Sequence, residues 1–261
     1  MTAAIIIARG GSKRLPRKNV RDFCGHPLIA WTIVQARYSR LIDRVYMSTD
    51  DDEIAEISER YGAEIIRRPD WPDADLASGG RPTRHAIGVI KERFGDEFDL
   101  LASLMPTLPC RLPGDIDRII TAYHERNVGS LELLGRPREV LIFEETEPGF
   151  SRPVLTSENY GYLTYGGQCS ISTPERYMAE SLPEGEDHDE QIRASASYYD
   201  PDRISPFVEV EPWQGVDCDT LEEFEFGELV MEYHILKGRG MAVYDAHDGD
   251  FSRYADNWKQ Q

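Results

Sequence analysis

The sequence predicts an α/β fold: a mixed, mostly parallel sheet in a three-layer, Rossmann-like arrangement with helices on both faces. Two observations carry the prediction. Short β-prone runs alternate along the chain with segments whose apolar residues recur at helical spacing, the pattern of strand–helix–strand units. The first run, residues 3–7, is wholly apolar, as expected for a parallel strand buried on both faces. It leads into a glycine-containing loop, and sheets of this kind bind ligands at the carboxyl ends of their strands. At 261 residues the chain is long enough for one large α/β domain with an excursion.

The loop, residues 8–19, reads ARGGSKRLPRKN. Gly10 and Gly11 let the backbone turn sharply and approach a ligand closely, and Ser12 adds a hydroxyl. Arg9, Lys13, Arg14, Arg17 and Lys18 concentrate cations there. Backbone N–H groups that cradle oxygens, together with fixed positive charge, are what a polyphosphate needs. The alternative is a solvated basic turn. It is the weaker reading because the rest of the chain is acidic. The loop is neither a Walker A motif nor the GxGxxG fingerprint.

The remaining elements follow in order. Gly25, His26 and Pro27 make a turn, with Pro27 suited to a first helical turn. Leu28, Ile29, Trp31, Thr32, Ile33 and Ala36 then form the apolar stripe of a helix. Residues 44–48 read as a second strand. The run Thr49, Asp50, Asp51, Asp52 closes it and offers a cap for a helix striped by Ile54, Ala55, Ile57 and Tyr61. Gly62 stops that helix, and residues 64–66 begin a third strand. A helix is expected over 84–93, a buried strand over 100–105, and a helix over 115–126 with Ile116, Ile119, Ile120 and Tyr123 on one face. From 129 to 171 the pattern changes to short β-prone runs separated by turns. Residues 208–210 read as a late strand, and a last helix runs to about Leu236. Before it stand Asp217 and Asp219. On an extended strand two carboxylates at this spacing point the same way and meet one hard cation, here magnesium beside a phosphate loop. The structural alternative is that Asp219 or Thr220 caps the helix, a role expected of Thr220 in any case.

Lys and Arg total 29 against 47 Asp and Glu, a formal net charge of −18. Such a surface disfavours nucleic acid. No apolar run approaches the roughly 20 residues of a membrane span, and the N-terminus lacks the order of a signal peptide. Cys24, Cys110, Cys169 and Cys218 are scattered without paired spacing, which indicates neither zinc nor a disulfide framework. The expectation is a cytoplasmic protein.

The string from Arg9 to Asn19 resembles the RGGSK-x-x-P-x-KN loop of cytidylyltransferases that activate sialic-acid-like sugars. Residues 217–223, DCDTLEE, are similar to that family's aspartate-x-aspartate-threonine segment. The resemblance runs to about Leu236. It implies a nucleotide-diphosphosugar transferase fold, a single domain over 1–261 with a dimerising, sugar-closing insertion at about 129–171, and a C-terminal extension at about 244–261. It implies CTP and a keto-acid sugar as substrates, CMP-sugar and pyrophosphate as products, magnesium on Asp217 and Asp219, and a homodimer. The nucleotide positions it implies are Ala8, Arg9, Gly10, Gly11, Ser12, Lys13, Lys18, Asn19, Arg68 and Ser78, with Arg9, Lys13 and Lys18 catalytic. The implied sugar positions are Met105, Tyr162 and Gln168.

Two departures bear on the substrate. Met105 stands where the sialic-acid branch has glutamine, and Gly166, Gly167 and Gln168 resemble the alanine-glycine-glutamine of the pseudaminic-acid branch. A sister transferase for another acid, such as an eight-carbon ulosonate or a phosphonate, stays open. So does a nucleotide-binding homologue without turnover, although the intact loop and both aspartates argue against it.

Overall fold

The structure is a computed structural model, and it describes residues 1–69, 71, 80–135, 142–148, 150–155, 164–180 and 206–245. In chain order the elements are β1 (Thr2–Ile7), β2 (Asp22–Phe23), β3 (His26–Pro27), α1 (Leu28–Arg37), β4 (Arg44–Thr49), α2 (Asp52–Arg60), β5 (Glu64–Arg67), α3 (Gly80–Phe94), β6 (Leu100–Leu104) and α4 (Asp115–Arg126). There follow β7 (Ser130–Gly135), β8 (Ile142–Glu147), β9 (Phe150–Leu155), β10 (Thr164–Ser172), α5 (Pro174–Glu180), β11 (Phe207–Val210), α6 (Leu221–Met231) and α7 (Ala242–Asp245).

Seven strands form one sheet in the order β11-β7-β10-β6-β1-β4-β5. The pairs β1–β4, β1–β6, β4–β5 and β11–β7 are parallel, whereas β10 runs antiparallel between β6 and β7. The alternation predicts the parallel strands, and the antiparallel β10 makes the sheet mixed, as the expected fold class has it. The strand period of two sorts β1 between two cores. Ala4 and Ile6 pack with Ile29, Ile33, Met47 and the isoleucines of α4. Ala3 and Ile5 pack with Tyr46, Ile87 and Ile90 on the side of α3.

A third cluster lies outside these layers. Leu15, Phe23, Leu28, Trp31 and Val34 meet Phe224, Met231, Ile235, Val243 and Tyr244 from the far end of the chain. The Phe23 and Phe224 rings meet edge to face at 5.1 Å. Helix α1 is therefore buried all round, from Leu28 to Ala36. The expected single stripe is too narrow, because a second layer covers the face that a stripe would leave to water.

Local differences have local causes. Cys24 (φ +51°) and Gly25 (φ +85°) form the tight turn of the β2–β3 hairpin, so Pro27 lies just before α1 rather than in its first turn. Of residues 129–171, β7 and β10 belong to the central sheet, and the described part outside it is the β8–β9 hairpin. The C-terminal extension begins inside the core, since Tyr244 is buried. Its residues 246–261 lie outside the described residues.

Candidate active site

The parallel strands β5, β4, β1 and β6 lie side by side, so their carboxyl ends form one edge. From one side to the other the edge carries Arg68, then Asp50 and Asp51, then the basic loop, then Met105.

The loop is held from below by carboxylates. The Gly10 N–H donates to Asp50 Oδ1 at 3.2 Å. Arg68, its side chain only 6% exposed, bridges Asp50 Oδ1 at 3.0 Å and the Ala8 carbonyl at 3.0 Å. Asp51 caps α2 by accepting from the Ile54 N–H at 2.9 Å, and it takes Arg17 Nη1 at 2.5 Å. Arg17 sits at φ +58°, an unfavourable conformation for a side-chain-bearing residue, and its ion pairs with Asp51 and Glu53 hold it there. Gly10 is required by close approach: a Cβ there would lie 2.9 Å from Asp51 Cγ and nearer still to Oδ2. At Gly11 a Cβ would meet nothing within 4 Å. Asn19 is buried and donates to the Arg9 carbonyl at 3.3 Å. Its Oδ1 is buried without a partner among the described residues.

Lys18, its side chain 14% exposed, pairs with Asp219, and Arg14 Nη1 reaches the other oxygen of that carboxylate at 2.5 Å. Burial alone would raise the Asp219 pKa. The Lys18 hydrogen bond and charge, with Arg14, outweigh it and hold the carboxyl below its ordinary value. Asp217 is shifted the other way: burial raises it, a hydrogen bond with Thr107 opposes the shift, and the neighbouring Asp219 adds to it. Asp217 Oδ1 is buried with no hydrogen-bond partner among the described residues. An anion that burial destabilises, with an orphaned oxygen beside a second carboxylate, suits a hard cation. The two aspartates do not lie on a strand, as the alternation reading supposed. They follow a 3-10 turn, Pro212–Gly215, and the Asp219 N–H bends back to the Asp217 carbonyl at 3.0 Å. The bend has a cause: Thr220 and Glu223 form a capping box that starts α6 at once. Thr220 thus takes the cap, and Asp219 is left to the cations.

The segment after β6 closes this side. The Cys218 N–H donates to the Thr107 carbonyl at 2.8 Å, which seats the aspartates against it. Met105 is 38% exposed at the carboxyl end of β6. Cys169 of β10 pairs with Leu104 at the end of β6, so Gln168 and Met105 each adjoin this last pair along the chain. Gly166, Gly167 and Gln168 lie where the β10–β7 register shifts between Tyr165 and Ser170. Such bulges recur beside active sites. Ser78 and Tyr162 lie outside the described residues. Sequence reasoning assigned no site role to Asp50, Asp51, Thr107 or Arg111. The run of three aspartates after β4 was the available signal, and it was read only as a helix cap.

The chain is similar to known cytidylyltransferases. The pseudaminic acid cytidylyltransferase of Campylobacter jejuni is 41% identical over 107 residues, 40% of this chain and 45% of that one. The N-acylneuraminate cytidylyltransferase of Oncorhynchus mykiss is 36% identical over 113 residues, 42% of this chain and 24% of that one. The matches thus span less than half the length of these relatives. A solved structure of CMP:2-keto-3-deoxy-manno-octonic acid synthetase complexed with CTP aligns over 90% of this chain and 99% of its own, with a TM-score of 0.64 at 19% identity, which shows a shared fold. Residues 3–132 match the profile of the cytidylyltransferase family, and through that half, which contains the whole basic loop, the chain belongs to the cytidylyltransferases.

Proposed function

We propose that the protein makes a CMP-activated keto-acid sugar, of the sialic-, pseudaminic- or legionaminic-acid type, from CTP and the free acid, releasing pyrophosphate. The observation that carries this reading is the convergence of Lys18 and Arg14 on Asp219, next to the half-buried Asp217, whose buried Oδ1 has no hydrogen-bond partner among the described residues, at the carboxyl end of β1. In the reaction the anomeric hydroxyl of the acid attacks the α-phosphorus in line and the bond to pyrophosphate breaks. Phosphoryl transfer of this kind asks a protein chiefly for positioning and charge stabilisation. Arg9, Lys13 and Lys18 would neutralise the triphosphate charge, and the carboxylates beneath fix the loop that carries them. Asp217 and Asp219 would hold magnesium, which supplies charge neutralisation across the phosphate oxygens when bound. The acid lies on the β6–β10 side, beside Met105 and Gln168. The protein works in the cytoplasm as a homodimer, a reading supported by the β8–β9 hairpin standing apart from the central sheet. Among the described residues no helix is long and apolar enough to cross a membrane.

The test is a screen of CTP with nine-carbon and eight-carbon 2-keto acids and a phosphonate, scored by CMP-conjugate and pyrophosphate. Conjugate with a nine-carbon acid is expected. Preference for an eight-carbon acid or a phosphonate would move the substrate class, and no conjugate with any acid would remove the activity.

A further inference from the structure

The segment joining β6 to α4 has its carbonyls caught one by one from different parts of the fold. Arg111 Nη2 donates to the Met105 carbonyl at 2.7 Å. Gln35 Nε2 donates to the Pro109 carbonyl at 2.8 Å, Gln214 Nε2 to that of Cys110 at 3.2 Å, and the Tyr244 hydroxyl to that of Arg111 at 3.0 Å. The side chains close into a ring. Gln35 Nε2 also donates to the Tyr244 oxygen at 2.7 Å, and Arg111 Nη1 donates to Gln35 Oε1 at 2.9 Å and Thr32 Oγ1 at 3.0 Å. Arg111 is fully buried, and Gln35 and Tyr244 nearly so. Burial lowers the Arg111 pKa to about 10, which leaves it cationic at neutral pH. Burial raises that of Tyr244, which keeps its hydroxyl a donor.

We propose that Tyr244, from the C-terminal helix α7, is a positioning residue for the acid substrate, acting through Gln35 and Arg111 on Met105. The proposal rests on the reading that the chain activates a keto acid. Buried polar networks are costly when partly satisfied, so the ring has one arrangement rather than several. Its outlet toward solvent is the exposed Met105, which Arg111 holds by the main chain and which directly follows the last β6–β10 pair, Leu104 with Cys169. The effect is selective because of strand order. Met105 lies on the far side of β1 from Arg68 and Asp50, and Arg14, Arg17 and Lys18 of the loop pair with Asp51, Glu53 and Asp219.

The experiment is Tyr244→Phe in the full chain, with KM measured separately for CTP and for the best acid of the screen. One neutral hydrogen bond is worth about 1 kcal/mol, so KM for the acid should rise about 5-fold, with KM for CTP within about twofold. Thr32→Val, which loosens the same arginine with little change of shape, should give the same split if Tyr244→Phe folds poorly. Ile90→Val, in the core beside α3, should lower the melting temperature and move neither constant. Unchanged constants in Tyr244→Phe, or both rising together, would overturn the proposal. Should the wild type turn over no acid, the functional reading fails on its own. Hydrogen exchange at residues 105–111 then decides the positioning: faster exchange in Tyr244→Phe supports it, and unchanged protection overturns it.

Discussion

Gly10→Ala tests how the basic loop is seated. Gly10 is not among the positive-φ glycines, so the cost comes from close approach alone. An added methyl would stand 2.9 Å from Asp51 Cγ and 3.1 Å from its Cβ, where ordinary contacts begin near 3.4 Å. Asp51 cannot yield freely, because it holds the Ile54 N–H and Arg17. Displacing it removes a helix cap, about 0.5–2 kcal/mol, and loosens a partly exposed ion pair, about 0.2–1 kcal/mol. The sum is about 1–3 kcal/mol, or a fall in melting temperature of roughly 2–12 °C at this chain length. Gly11→Ala is the control: its methyl meets nothing within 4 Å, and stability should be unchanged or rise by up to about 1 kcal/mol. The assay is thermal and urea denaturation of both variants and of Gly10→Ala combined with Asp51→Ala. Without the Asp51 carboxylate the Gly10 change should cost less, since only the 3.1 Å approach to the Cβ remains, as a double-mutant cycle reads directly. Equal melting of the two glycine variants, or full additivity with Asp51→Ala, would refute the seating argument.

Four further outcomes are expected. Lys18→Ala should lower turnover by at least ~10²-fold, because charge placed at the transferring phosphoryl group is stabilising there; near-normal turnover would remove Lys18 from the site. Asp217→Asn and Asp219→Asn should each raise the magnesium concentration for half-maximal rate, whereas Thr220→Ala should cost about 1 kcal/mol of stability without moving it; the reverse pattern would assign the aspartates to structure. CTP should be used in preference to UTP, because a site that pairs an amine leaves buried groups unmatched by a carbonyl; equal efficiency would misplace the base pocket. Finally, the Arg17 hydrogen bond holds the Asp51 pKa down against burial. A depressed carboxylate stabilises above its unfolded pKa of about 3.9 and loses that contribution as pH falls through the folded value. The stability gap between wild type and Asp51→Ala should therefore be full at pH 7 and shrink below about pH 4. A gap that stays constant into strong acid would contradict the ion pair's role.

The alternation of β-prone runs and helical stripes made the sheet legible, since a strand such as β1 carries its double burial in its own composition. Helix α1 was not legible in the same way. A stripe reading assumes one wet face, and the residues that cover it, Phe224, Ile235 and Tyr244 among them, come from the other end of the chain. The site divides likewise. The cations of the loop and the aspartate pair stand out in one dimension, but their pairing is a three-dimensional fact: Asp219 meets Lys18 and Arg14. Arg68, one of the implied nucleotide positions, braces Asp50 and the Ala8 carbonyl, and its Nε is buried without a hydrogen-bond partner among the described residues. The charge of an arginine is visible in sequence, and the direction it faces is not.

The pairing of Lys18 with Asp219 spans 201 residues, and that of Arg14 with Asp219 spans 205. Synthesis runs from the N-terminus, so the cationic loop is made well before the carboxylate that steadies it. The sheet has the same order of assembly. Residues 3–132 end inside β7, whose neighbours β10 and β11 are both made later. Closing such distant contacts carries a loop-entropy cost before any pairing repays it. The stretch that carries the family likeness is therefore not a module that completes itself, since the carboxylate that pairs with its Lys18 lies 201 residues further on.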